Sequence, residues 1–307
     1  MRTTRREVLK GMAVAATAVV LPWGQRVRAR VGLPVSKPIP SSGEAIPCVG
    51  LGTWITFNVG NDPVLGNECV DVMAAFFEAG GRVIDSSPMY GSSQAVVGYG
   101  LEKLGRPPGL FSADKVWTSS GGKGPGQIED SRSFWGVPRF DLLQVHNLLA
   151  WEAHLETLFE MKAAGRLRYV GITTSERRRH DLFERIMRAQ PLDFVQLTYN
   201  VVDREAEDRL LPLAAERGMA VLANRPFQEK ALIRKLEGES LPAWAPDIGA
   251  ASWAQFILKF IVSHPAVTAA IPATTRVDHV RENVAAASGP LPDAPMRLRM
   301  AAYVNDL

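Results

Sequence analysis

The chain has 307 residues, 46% of them hydrophobic and 22% charged, with a formal net charge of +3 at pH 7. That much apolar material suffices for one large core and argues against a disordered chain. The charge is uneven: residues 1–29 carry Arg2, Arg5, Arg6, Lys10, Arg26 and Arg28 against Glu7 alone, which leaves −2 from residue 30 onward and removes the main support for nucleic-acid binding.

The first elements follow from this asymmetry. The charged start around Arg5 and Arg6, the apolar run from Met12 to Leu21 and the small-residue exit near Ala29 read as an export signal, the run being too short to span a bilayer. The paired arginines make it similar to a twin-arginine signal, whose route carries folded proteins to the periplasm. An amphipathic first helix or a membrane anchor is the alternative, and no stable membrane span is expected in the mature chain. Residues 30–45, rich in Pro and Ser, read as a linker or surface strap. Residues 46–307 are expected to form one domain.

Within that domain strands and helices alternate. A first strand covers 47–54 and a helix 67–79, where Val70, Met73, Phe76 and Phe77 share one face until Gly80 and Gly81 end it. A second strand closes on Val83 and Ile84, and a helix over 94–104 stops at Gly105. Further strands are expected at 110–117, 140–146, 168–172, from Phe194, from Ala220 and at 267–271. The helices between them lie at 127–135, 151–164, 179–189, 205–217, 252–263 and 277–287, with a long excursion over 228–249. Eight strands alternating with helices predict an α/β chain folded as a (β/α)8 TIM barrel. An open doubly wound sheet is second, and its GxGxxG phosphate loop is absent after the first strand, where Gly50 and Gly52 lead into Thr53 and Trp54.

In a parallel barrel, residues just past the strands gather at one mouth. That mouth collects Gly52, Thr53 and Trp54, Asp85 and Tyr90, Lys115, His146, Thr173 and Thr174, Gln196, then Asn224, Arg225 and Pro226, and the stretch from Pro272 to Arg276. The set has a chemical logic. A phenol of ordinary pKa near 10 is too weak an acid to protonate an alkoxide well at neutral pH. A buried Lys115 would lower it, Asp85 would hold the lysine charged, and His146 would orient a carbonyl. A strand followed by a solvated turn explains residues 85–90 equally well if they are taken alone.

These residues sit in motifs that together carry a likeness: GLGTW (50–54), VIDSSPMYG (83–91), LFSADKVW (110–117), DLLQVHN (141–147), GRLRYVGITTS (165–175), FVQLTYN (194–200) and IPATTRVDHVRENVAAA (271–287). The chain resembles the aldo-keto reductases over nearly its whole length after the leader. The resemblance implies an NADP-dependent oxidoreductase, with NAD the less favoured cofactor, acting on a small-molecule aldehyde or ketone. It implies Tyr90 as general acid, tuned by Lys115 and Asp85, with His146 positioning the substrate. It implies that Thr173, Thr174 and Gln196 hold the nicotinamide amide and that Thr274, Thr275, Arg276, Glu282 and Asn283 hold the adenosine end, Arg276 meeting a 2′-phosphate.

Trp54 and Trp151 are candidates to line the substrate mouth, and equally candidates for plain packing. Three departures from the family stand out: Asp114 precedes the lysine where a small hydroxyl residue is usual, Thr173 and Thr174 replace the usual Ser and Asn pair and so offer hydroxyls but no amide, and the C-terminal substrate loop is missing, which leaves the mouth open. Lys123 is a second candidate cation. His154, His180, His264 and His279 form no metal-binding pair, and Cys48 and Cys69, without metal-ligand spacing, are expected to be buried free thiols, a disulfide in an oxidising compartment being the alternative. A barrel that keeps the scaffold, with or without a nucleotide, but acts as a binding or accessory protein without redox turnover is the other functional reading.

Overall fold

The structure, a computed structural model, describes residues 34–307. The proposed export signal, and the first residues of the linker, lie outside the described residues. Pro34 leads into a short antiparallel hairpin, β1 (Ser36–Pro38) and β2 (Ala45–Pro47), in which Ser36 faces Pro47.

The barrel follows. Its strands are β3 (Leu51–Gly52), β4 (Val83–Asp85), β5 (Phe111–Val116), β6 (Phe140–His146), β7 (Leu167–Thr173), β8 (Phe194–Thr198), β9 (Ala220–Asn224) and β10 (Ala269–Ala270). They pair in sequence order, all parallel. Bridges from Val49 to Ala270 and from Gly52 to Ala273, with the Gly50 amide donating to the Ala270 carbonyl at 2.8 Å, join the last strand to the first. The (β/α)8 barrel is therefore closed, as the alternation predicts.

The helices between and after these strands pack on the outside: α1 (Pro63–Glu78), α2 (Ser93–Lys103), α3 (Gly124–Trp135), α4 (Trp151–Ala163), α5 (His180–Ala189), α6 (Leu210–Glu216), α7 (Ala231–Lys235), α8 (Trp253–Val262), α9 (Val277–Ala285) and α10 (Ala294–Asp306). α1 begins four residues before the expected start. Asp62 caps it by accepting from the Val64 and Leu65 amides, and Pro63 is suited to the first helical position. That first turn exposes Val64 and Leu65, so no buried periodicity marks it in the sequence. The excursion over 228–249 also proves partly helical, holding α7 and a single turn at Ala245–Ile248. Its entry is strained: Arg225, Gln228, Glu229 and Lys230 all have φ between 47° and 76°.

Period-two alternation divides the strand residues between two cores. Ile84, Val116, Leu143, Val170 and Val195 face the helices. Val83, Phe111, Leu142, Tyr169, Phe194 and Leu222 instead form a separate cluster within the barrel, joined by Ile39 and Ile46 of the hairpin, both fully buried. The segment expected as a linker or strap is thus a stopper for the barrel's N-terminal end. Tyr169 Oη ties it down through Ser42 Oγ and Glu44 Oε2, each at 2.8 Å. Two or four residues further along each strand, the same inward alternation carries polar groups instead.

Candidate active site

Those inward positions are Asp85 on β4, Lys115 on β5, Gln144 and His146 on β6, Thr173 on β7 and Gln196 on β8. Each stands two or four residues past an apolar member of the inner cluster, toward the carboxyl end of its strand. Strand register brings them level: Lys115 lies beside Gln144, and His146 beside Thr173, which lies beside Gln196.

Lys115 is completely buried and its ammonium is held by Asp85 Oδ1 at 2.5 Å and by the Ser86 carbonyl at 2.7 Å. Burial alone would lower its pKa, but the Asp85 and Tyr90 oxygens outweigh that and hold it above the ordinary value. The other Asp85 oxygen accepts from Gln196 Nε2 at 2.9 Å, with Gln144 Nε2 at the 3.5 Å limit of contact. Thr53 Oγ1 donates in this region too, with the Asp85 carbonyl at 3.0 Å and Ser86 Oγ at 2.9 Å as partners.

Tyr90 ends a single 3-10 turn, Pro88–Tyr90, whose Ser87 cap accepts from the Met89 amide. Lys115 Nζ lies 5.1 Å from the centroid of the phenol ring, and the His146 ring meets that phenol edge-on with centroids 5.8 Å apart. Part of the Tyr90 ring faces the cavity mouth, yet its surroundings are packed closely enough that lost solvation pushes its pKa up. The charge of Lys115 pulls the other way without prevailing. The net direction is opposite to the expected lowering, because burial acts on the phenolate more strongly than the lysine relieves it. Burial, with Lys115 second, pushes the His146 imidazole well below its ordinary range, so it is neutral at physiological pH.

A cavity of about 280 Å³ opens above this group. Of the residues expected from sequence, Gly52, Thr53, Trp54, Asp85, Tyr90, His146, Thr173, Gln196, Asn224, Arg225 and Pro226 line it. Lys115 lies beneath it. Thr174 does not reach it: alternation turns that side chain away, and its hydroxyl accepts from the Glu176 amide, while Ser175 lines the cavity in its place. Trp151, at the start of α4, packs partly buried against the core rather than the cavity. Sequence reasoning missed Met89, Asn147, Ser175, Phe227 and Lys230 among the lining residues. Ser175 could have been found by counting two residues on from Thr173, and Asn147 by its place after a strand-ending histidine.

The segment expected to hold an adenosine lies outside this cavity, at the start of α9. Thr274 Oγ1 accepts from the Arg276 amide at 3.1 Å, and Asn283 is buried on α9 with Glu282 beside it. The exposed Arg276 guanidinium forms two hydrogen bonds with Asp278, at 3.0 Å and 2.5 Å, which hold it above and Asp278 below their ordinary pKa values. Thr275 adds a hydroxyl position just before this arginine.

The other candidates resolve simply. Asp114 points out of the barrel, where it accepts from Gln94 on α2 at 2.9 Å and from the Lys115 backbone amide at 2.7 Å. Burial pushes its carboxyl up to about 7 against those hydrogen bonds. Lys123 is exposed on a turn away from the cavity. His154 is buried against the Thr118 carbonyl at 2.9 Å, which ties α4 to the loop after β5. Cys48 and Cys69 are buried free thiols, as expected. Among the described residues there is no cluster of metal-ligating side chains, and no helix is long and apolar enough to cross a membrane.

The cavity suits a nicotinamide beside a small substrate. Hydroxyl and amide groups of Thr173, Ser175, Gln196 and Asn224 stand on one side, a neutral phenol and imidazole on the other, and apolar side chains make up much of the rest. Gln196 has both polar ends engaged, its Oε1 accepting from Thr173 Oγ1 at 3.0 Å, so a carboxamide would be met by its remaining lone pair or by rotation.

The sequence and the barrel both have relatives among known proteins. The family model for the aldo/keto reductase family matches residues 48–298. A methylglyoxal reductase from Escherichia coli, YeaE, is 28% identical over 275 residues, which is 87% of this chain and 95% of that relative. An NADH-specific methylglyoxal reductase from the same organism is 23% identical over 68% of this chain and 72% of its own length. Among solved structures, an aldo/keto reductase from Klebsiella pneumoniae in complex with NADP and acetate superposes with a TM-score of 0.72 at 22% identity, covering 85% of this chain and 93% of that one, a likeness of fold.

Proposed function

This chain belongs to the aldo/keto reductase family, and from that premise we propose that it reduces small aldehydes and ketones with a nicotinamide nucleotide, Tyr90 serving as the proton donor. The observation that carries the reading is the convergence of Asp85, Lys115, Tyr90 and His146 from three strands and a turn around one cavity. A bound nicotinamide supplies the hydride that the carbonyl carbon accepts. This chain's residues do the rest. His146 and Tyr90 hold the carbonyl oxygen, Tyr90 gives up its phenolic proton as charge grows there, and the Lys115 ammonium stabilises the phenolate left behind. Asp85 keeps that ammonium charged and in place. In the absence of a developing alkoxide the raised phenol pKa keeps the proton on Tyr90, as a general acid needs.

The substrate class proposed is small carbonyls, including 2-oxoaldehydes. It is supported by the modest cavity volume and by two relatives named methylglyoxal reductases. NADP is the proposed cofactor, with Arg276 meeting the 2′-phosphate after leaving Asp278. Residues 1–29 are proposed to be a twin-arginine export signal that delivers the folded barrel to the periplasm with its nucleotide already bound; cell fractionation with and without lysines at Arg5 and Arg6 tests this. The enzymatic reading is tested with Tyr90→Phe: carbonyl-dependent NADPH oxidation should fall by about 10²- to 10⁴-fold, while nucleotide binding stays within about twofold because the phenol makes no cofactor contact in this reading. Unchanged turnover would remove Tyr90 from its role, and an empty barrel that neither binds nor oxidises nucleotide would favour an accessory function.

A further inference from the structure

Ser87 lies outside the group of Asp85, Lys115, Tyr90 and His146, yet it touches one of them. It is completely buried, and its hydroxyl lies 2.7 Å from His146 Nδ1. The same oxygen accepts from the Met89 amide at 3.2 Å. A hydroxyl has one hydrogen and two lone pairs. The Met89 amide can only donate, so it occupies a lone pair, and His146 Nδ1 is then the one acceptor within hydrogen-bond reach for the Ser87 hydrogen among the described residues. Were Nδ1 itself protonated, the serine hydrogen would be buried with no acceptor, the costly arrangement for a polar group out of water. Turning the imidazole over would set Cδ2 against the hydroxyl and leave the same hydrogen unmatched.

We propose that Ser87 is a positioning residue that holds His146 in the tautomer with its proton on Nε2. The ring is neutral, so it has one proton to place, and burial, followed by the nearby Lys115 charge, works against a second. With Nδ1 occupied by the serine, Nε2–H becomes a hydrogen-bond donor on the ring's other side. The edge-on arrangement with Tyr90 puts phenol and imidazole on one cavity, where a carbonyl oxygen can then receive two donors. In the opposite tautomer an Nε2 lone pair would face the oxygen's own lone pairs and repel it. The proposal rests on the reading of Tyr90 and His146 as the pair that meets the carbonyl oxygen.

The test uses the full chain labelled with ¹⁵N-histidine, together with kinetics of Ser87→Ala and Ser87→Thr. In the wild-type protein the His146 nitrogens should show a protonated-type Nε2 and an unprotonated-type Nδ1 shift. Ser87→Ala should move both toward intermediate values and lower kcat by about tenfold to a hundredfold, with NADPH Kd within about twofold. Ser87→Thr, which restores the hydroxyl, should recover both the shifts and kcat. A protonated Nδ1 in the wild-type protein would overturn the tautomer assignment, and Ser87→Ala shifts indistinguishable from wild type would overturn the hold of Ser87 on that tautomer; either result leaves the reductase reading standing. Shifts that move as expected with kcat unchanged would overturn the positioning role, and with it the placing of His146 on the carbonyl. The wild-type spectrum is independent of whether any variant folds.

Discussion

Gln196 donates to one carboxylate oxygen of Asp85 at 2.9 Å across the barrel, although the two lie 111 positions apart, and Lys115 takes the other oxygen at 2.5 Å. The carboxylate is thereby held from two strands at once, on β5 and β8. A buried charge with such partners is costly to strip of one of them, since the survivor keeps its desolvation penalty without its counter-charge.

Asp85→Asn should accordingly lower unfolding stability by about 3–5 kcal/mol, the range for breaking a buried pair from one side. Urea titration reads this as a lower midpoint at constant slope. Turnover should fall as well, because a lysine without its anion readily gives up its proton. A midpoint equal to that of wild type would mean that the ammonium gains nothing from Asp85.

The buried Asp114 predicts a pH dependence with a definite sign. Its carboxyl is pushed up to about 7 in the fold from an ordinary 3.8, so the folded state binds the proton more tightly than the unfolded chain. Its contribution to stability is full below about pH 4 and is lost as pH rises through about 7. Asp114→Asn, which can still accept from the Lys115 amide, should remove that slope. The measurement is the wild-type minus variant difference in unfolding free energy across pH 4 to 7, and a flat difference would count against a buried, proton-holding carboxyl.

The Arg276 to Asp278 pair predicts how the nucleotide is chosen. Arg276→Ala should raise NADPH Kd by about tenfold, the loss of one charge-assisted contact at a largely exposed site, and leave NADH nearly unchanged. Asp278→Asn should act oppositely, tightening NADPH severalfold by freeing the guanidinium, with the gain shrinking at high salt. Fluorescence titration of both nucleotides against both variants checks this, and equal effects on NADPH and NADH would move the 2′-phosphate elsewhere.

The hairpin stopper can be probed by Ile39→Ala. Ile39 is fully buried with the inner cluster, so the truncation should cost about 2–5 kcal/mol. Because Ile39 sits at the end of the barrel away from the cavity, kcat at a temperature where the variant stays folded should hardly change. Equal losses of stability and kcat would show that the inner cluster transmits strain to the polar layer above it.

Much of this architecture is legible beforehand because eight strand-like runs alternating with helices predict a barrel, and the residues at the carboxyl ends of those runs must share one mouth. Asp85, Lys115 and His146 each end such a run, and their convergence needs only that the barrel close. What escaped reading depended on contacts across that closure. Ser87 and His146 are 59 positions apart, and nothing local marks them as partners. Thr174 and Ser175 differ by one step of the pleat, too small a difference to place from the end of a strand whose last residue was uncertain. The direction of the Tyr90 shift hangs on a balance between burial and a neighbouring charge, and no pattern of letters encodes packing density. The start of α1 was missed for a simpler reason, since capping by Asp62 and Pro63 governs a turn that buries almost nothing.

The stoppered end of the barrel also bears on how the protein can be handled. Pro34 leads directly into β1, beside the closed face, whereas the cavity opens where the strands finish. In a protein shortened to begin at Pro34, a tag or surface linkage joined there therefore starts from the end opposite the catalytic opening. Protein immobilised through that end should keep its entrance clear and turn over at the same rate as protein in free solution.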